Sequence, residues 1–465
     1  MLFLVIIKKI MEHKRLKLDT LYSNNLIYKL HELNLLQTII LYFNQSQILQ
    51  IRLVCKILNE LFKTIWCKKE LITFYNSIDE KTMKSFDYME NFNFYKNNIS
   101  DVFLSYSFNI YFLITQYSQI TDIGLSYLKS SKEINISGCT KITNEGLYYL
   151  KNIKSIVISN CRQITDEGIS NFKNLISIDL TNCIEITDKT LFYLKNIKQI
   201  ILNGCNKITD NGLEYIQNAQ KVSIKNCDNI TDKGVSFLKA ITIFFDNCIK
   251  ITNNGLYFLP NIKEISLVNC NITDEGIKYL KNIDYLNISN CIQITDKGLS
   301  YLENVKKIKL SNCKKITKIG IQKLQKLKYL IFHNYDLQYF EIFSSLKSLD
   351  LKYCSTIRDI HFVYFKNIEI IGLSCCQYIT GEGFINLNKV KQLDISECSL
   401  INESHIFYLT NITLLNISKC KNIPHLYNSP IYELKKLETL IIDSNYSLNE
   451  GIKYLRSKGI TIINI

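Results

Sequence analysis

Sixteen cysteines and six histidines are the residues of this 465-residue chain most able to do chemistry. Thiolates and imidazoles ligate zinc when several converge at close spacing, and a thiolate beside an imidazole can act as a nucleophile. Neither arrangement is written here. Cys139, Cys161, Cys183, Cys205, Cys227, Cys248, Cys270, Cys291 and Cys313 follow one another at steps of about 22 residues, and Cys354, Cys376, Cys398 and Cys420 resume the series. Only Cys55, Cys67 and Cys375 (beside a slot) stand off it. A residue at one fixed slot of a repeat points the same way every time, so these are expected to be buried thiols acting as small apolar groups. The histidines (His13, His31, His333, His361, His405 and His425) have no carboxylate or nucleophile at a motif spacing. No H-E-x-x-H, phosphate loop, G-x-S-x-G or dinucleotide fingerprint is present. The sequence therefore predicts no catalytic residue, no metal and no cofactor. So many free thiols suit a reducing compartment, cytoplasmic or nuclear.

The elements around each thiol are legible in Ile153-Lys-Ser-Ile156-Val-Ile158-Ser-Asn-Cys161-Arg-Gln-Ile164-Thr165-Asp166-Glu-Gly168-Ile169-Ser-Asn-Phe172. Ile156 and Ile158 alternate with Val157 and Ser159, the period of a strand with one buried face. Thr165 suits a helix N-cap, Asp166 and Glu167 suit the positive end of a helix dipole, and Ile169 with Phe172 marks a buried helical edge. Each repeat thus reads as strand, turn, short helix and return, and only stacked neighbours can bury its apolar face. The run C-x-x-I-T-D-x-G-L resembles the cysteine-containing subtype of leucine-rich repeats. That resemblance implies an α/β solenoid with a parallel sheet on its concave face and helices on its convex face. The unit is shorter than is usual in the subtype, so its helices should be shorter too.

Ahead of the array, Leu33 to Phe43 and Gln47 to Leu61 carry apolar residues at helical spacing, broken by Asn44-Gln45-Ser46. This stretch resembles an F-box, the helical module that docks a Skp-type adaptor of cullin–RING ubiquitin ligases. Leu35, Leu36, Ile39 and Ile40 stand where the family has its first amphipathic helix. Leu53, Val54, Cys55 and Lys56 match its V-C-K run, and Trp66 its closing tryptophan; the family's opening Leu-Pro is replaced by Leu30-His31-Glu32-Leu33. The resemblance implies that these residues contact the adaptor. The same helices would also serve as an ordinary cap for the solenoid. The expected organisation is an extension over 1–29, the α-helical F-box-like module over 30–71, a degenerate first repeat and junction over 72–109, and the array with its C-terminal cap over 110–465. Within the array, Tyr335 and Asn445 take cysteine slots, helix signals fade near Leu337, and Pro424 and Pro430 mark an insertion. Ile460 to Ile465 reads as a closing strand. At the other end, Met1 to Ile7 is too short to span a bilayer, and Lys8 and Lys9 follow the apolar run where a secretory signal would have charge before it. No membrane segment is expected.

The residue between the two inward positions of each strand faces solvent and, unlike the framework, does not repeat. That column runs Asn135, Val157, Asp179, Ile201, Ser223, Phe244, Ser266, Asn287, Lys309, Ile331, Asp350, Gly372, Asp394, Asn416. Val157, Asp179, Ile201, Phe244, Lys309 and Ile331, with Tyr285 beside the column, are the expected contacts of a protein substrate. Phe244 and Tyr285 are expected about 10 Å apart, two strand spacings. The net charge of +14 comes from lysines recurring about once per repeat, such as Lys154, Lys198, Lys263 and Lys306. Without a dense run bearing interleaved aromatics, no nucleic acid is expected. The expectation is a substrate receptor of an SCF-type ubiquitin ligase, its helices on the adaptor and cullin complex and its concave sheet on the substrate. The alternative is a leucine-rich-repeat scaffold with no ligase role.

Overall fold

Three residues of extended chain open each repeat, and the middle one is covered. Ser155–Val157, Ser177–Asp179, Thr242–Phe244 and Tyr285–Asn287 each place one buried residue between two partly exposed ones. Alternation across the pleat requires this, and the apolar residue two further on (Ile158, Leu180, Phe245, Ile288) is buried again. The computed structural model describes residues 72–74, 91–94, 99–105, 112–332, 346–423, 429–443 and 450–464.

The chain divides into two units, 1–161 with 171–174, and 162–170 with 175–465. In the first, the strands Ile72–Phe74, Asn91–Phe94, Phe112–Ile114, Glu133–Asn135 and Ser155–Val157 pair in chain order, all parallel. The sequence suggested one degenerate repeat over 72–109; two strands lie there. In the second unit, parallel pairing runs in chain order from Ser177–Asp179 to Thr461–Asn464. The closing strand is present, and the helix Glu450–Ser457 ahead of it buries Ile452 and Leu455. This is the solenoid the repeat implied, with strands on one side and short helices on the other.

The return segments are helices of four to six residues, from Asp101–Ser105 to Lys318–Gln322. Beyond them come 3-10 turns: Asp359–Tyr364, Glu382–Asn386, Glu403–Tyr408 and Pro430–Glu433. Pro430 therefore sits in a repeat's helical slot and not in an insertion, because its fixed φ suits a first helical position and Ser429 caps it. Tyr335, Leu337, Pro424 and Asn445 lie outside the described residues, as does the whole of 1–71.

Besides the buried apolar core and the strand pairing, a polar ladder ties neighbouring repeats together. Thr209 caps its helix by accepting the Asn211 N–H at 3.3 Å, and donates its own N–H and hydroxyl to Asp188, one repeat earlier, at 2.8 and 2.6 Å. Asp210 with Thr231, Asp232 with Thr252, Asp274 with Thr295, and Asp296 with Thr317 repeat the arrangement. The aspartate thus serves the following repeat's cap as well as its own helix dipole. The same carboxylate explains the glycine of I-T-D-x-G: a Cβ on Gly255 would stand 2.6 Å from Asp232 Oδ1. A different constraint acts ahead of the cysteine, where Asn182, Asn226, Asn247 and Asn290 turn the chain at φ of 56–62°. Asparagine tolerates that left-handed region better than most residues.

Candidate protein-binding face

The in-register pairing lines up two rows of side chains on the open face of the second unit's sheet. One row holds Phe244, Ser266, Asn287, Lys309, Ile331, Asp350, Gly372, Asp394 and Asn416. The other holds Thr242, Glu264, Tyr285, Lys307, Tyr329, Ser348, Ile370, Gln392 and Leu414. Period two exposes the residue before the first inward position as much as the one after it, so the face carries a second row, of which only Tyr285 was expected from the sequence. Ile201, Phe244, Tyr285, Lys309 and Ile331 are half-buried, as expected of a face with one side in the core. Asp179 is half-buried too, but its carboxylate accepts the Thr181 N–H and hydroxyl at 2.8 and 2.6 Å, so it serves its own turn. Val157, also half-buried, belongs to the first unit. Leu35, Leu36, Ile39, Ile40, Leu53, Val54, Cys55, Lys56 and Trp66 fall outside the described residues.

Phe244 is the centre of a charged cluster. The ammonium groups of Lys225 and Lys221 lie 5.4 and 5.9 Å from its ring centroid. Lys225 also pairs with Asp246 at 2.7 Å, and Ser266 donates its hydroxyl to the same carboxylate. Two expectations need correction. Ser223 and Ser266, assigned to solvent by the column, are buried. They are small, lie in register on either side of Phe244, and donate their hydroxyls to Asn203 and Asp246. Tyr285 is level with Thr242 and not with Phe244, so the two aromatics are offset diagonally, about 12 Å apart by strand geometry. Lys307 sits over the Tyr285 ring at 5.3 Å. Burial, with Asp246 and Glu264 nearby, raises the Tyr285 phenol above its ordinary pKa.

Further along the same sheet a depression of about 380 Å³ opens over Ile331, Asp350, Gly372 and Asp394, walled by Tyr329, Ile370, Gln392 and Leu414. It exists because Gly372 contributes no side chain to its strand. A Cβ there would meet Asp350 Oδ1 at 2.8 Å. Lys352 reaches across to Asp394 at 3.2 Å; partial burial opposes its charge, but Asp394 and Asp350 hold the ammonium pKa above its ordinary value.

The thiols of the repeat slot lie away from both features, in the core, while Cys375 beside the slot is half-exposed. Cys205, Cys291 and Cys313 donate to the carbonyls of Leu180, Leu267 and Ile288 at 3.1, 3.0 and 3.1 Å. Burial pushes Cys248, Cys313 and Cys376 up to about 12, which keeps them protonated and poor as nucleophiles or ligands. Among the described residues, no group of three or more His, Cys, Asp or Glu is placed to hold a metal ion, and no helix is long and apolar enough to cross a membrane.

A family model described as "Leucine Rich repeat" matches residues 258–281. No curated protein matches the chain by sequence. Among solved structures, the chain is similar to the complex of Rad7 and Elc1 in yeast, at 16% identity and a TM-score of 0.47, covering 78% of this chain and 96% of that one. It is similar to the mouse RP105/MD-1 complex at 14% identity and a TM-score of 0.43, covering 85% and 95%. An internalin from Listeria monocytogenes is similar at 16% identity and a TM-score of 0.35, covering 83% and 94%.

Proposed function

We propose that this leucine-rich-repeat protein is the substrate-recognition subunit of an SCF-type cullin–RING ubiquitin ligase. Its F-box-like segment would hold a Skp-type adaptor through Leu35, Leu36, Ile39, Ile40, Leu53, Val54, Cys55, Lys56 and Trp66, and its sheet face would hold a protein substrate. The observation that carries the recognition half is the pair of side-chain rows. A repeating framework fixes their backbone, while their chemistry changes at every strand and includes half-exposed aromatics and a preformed depression. Such a face on rigid strands suits a macromolecular partner, because little ordering entropy remains to be lost on binding. The adaptor half rests on the sequence resemblance over 30–71. The subunit would form no bonds itself; it would raise the effective concentration of a substrate beside the ligase.

A scaffold that binds protein on the same face without an adaptor is the second reading, favoured by the need of any solenoid for a terminal cap. Reconstitution with purified adaptor separates the two, since only the receptor forms a stable complex through residues 30–71.

A further inference from the structure

The lysines are less evenly spread than one per repeat. Between Glu303 and Asp336 the chain carries nine lysines and no aspartate or glutamate. Two of them, Lys307 and Lys309, stand on the open face of the sheet, in the two side-chain rows. Elsewhere on this unit several lysines flanking the strands are matched by acids, Lys225 by Asp246, Lys352 by Asp394, Lys347 and Lys391 by Glu369, while Lys221 lies over the Phe244 ring. Among the described residues Lys307 and Lys309 have no ion pair. Their register neighbours, Tyr285, Tyr329, Asn287 and Ile331, are all uncharged. Lys307 itself borders one end of the depression, which reaches Gly372 three strands on, where Lys352 is already engaged with Asp394.

We propose that this face takes an acidic protein segment laid across the strands, with adjacent carboxylates on Lys307 and Lys309 and an apolar side chain in the depression at Gly372. This rests on the sheet face being the recognition surface and names the chemistry of its partner. The geometry sets the spacing. Three strand steps are about 14 Å, which is about four residues of extended chain. The polarity is set as well: at the Gly372 end Asp350 and Asp394 flank the gap and outnumber Lys352, so an acid placed there is repelled, whereas Lys307 borders the opposite end. A glutamate pair followed about four residues later by a leucine therefore fits, and the reverse charge pattern does not.

The probe is a fluorescent peptide with two adjacent glutamates, a Gly/Ser spacer of about three residues and a leucine, carrying a photoreactive group and titrated against the full chain. Replacing the glutamates by glutamine, or the leucine by serine, should each weaken binding about tenfold, and added salt should weaken only the glutamate peptide. Lys307→Glu with Lys309→Glu should do the same with an unchanged melt. Gly372→Leu should block the depression, and the serine peptide reports on that contact even if this variant does not fold. Crosslinks should fall on the strands between Lys307 and Leu414. Absent binding, equal binding of the glutamine peptide, or tighter binding of a single-stranded oligonucleotide through the same lysines would overturn the proposal. Crosslinks elsewhere on the sheet face would overturn it while leaving the recognition surface intact; crosslinks confined to the helical side would remove both.

Discussion

Asp188 accepts two hydrogen bonds from Thr209, a residue one repeat further along the chain, at 2.8 and 2.6 Å. The bond to the hydroxyl turns the threonine lone pairs toward its own helix, so each repeat sets the cap of the next. Asn253 shows what the slot requires: it accepts the Thr273 N–H at 3.0 Å and donates its amide to the hydroxyl at 2.9 Å.

Asp188→Asn should therefore cost little stability, and Asp188→Ala about 1–3 kcal/mol, because the alanine leaves a partly buried N–H unpaired. Denaturant unfolding of the two variants checks this. Equal losses would mean that charge, and not the acceptor, matters at this slot.

The ladder also has a pH signature. Partial burial works against the Asp166 charge, but hydrogen bonds from Thr187 and Thr190 outweigh it and lower the carboxyl pKa. A pKa depressed on folding contributes stability above the unfolded value of about 3.9, and that contribution is lost as pH falls through the folded value. Melting temperature should fall on acidification between about pH 5 and pH 2, and less steeply in Asp166→Asn. Parallel profiles for the two proteins would remove Asp166 from the account.

Alkylation should separate the thiols by position. Of the cysteines from Cys139 onward, half-exposed Cys375 should label first, slowed by a pKa that burial raises. Cys183 and Cys227, both buried, should label only after unfolding. Rapid native labelling of those two would sink the buried ladder.

Phe244→Ala with Tyr285→Ala should lower substrate capture on the order of thirtyfold, the effect of losing about 2 kcal/mol at an interface anchor. The melt should fall only slightly, because both rings are half-buried on the sheet face and neither belongs to the core. A large drop in melting temperature would place the rings in the core. An unchanged melt with unchanged capture would move the substrate along the sheet.

The sequence made the repeat frame, the cysteine slot, the threonine caps and the outward position of Phe244 readable, since each follows from a local period. It did not expose the Asp188–Thr209 bond, whose partners are 21 residues apart and meet only on stacking. One signal was available: I-T-D keeps its aspartate and its glycine together, and Gly255 is needed because Asp232 approaches it. The depression was hidden for a related reason. Gly372 was visible as a residue in the outward column, but the space it leaves depends on Asp350 and Asp394 flanking it, which only the register reveals. Tyr329, Ile370 and Leu414 stand in the second row of a two-row face, outside the column between the two inward positions, and so were not expected from the sequence.

The most direct test of the receptor function is a pull-down of a purified Skp-type adaptor and cullin by the full chain and by Leu35→Ala with Ile39→Ala. The account predicts capture by the unaltered chain, and loss of capture by the variant with the array's melt unchanged. Failure of the unaltered chain to hold any Skp-type adaptor would contradict it and leave the scaffold reading in its place.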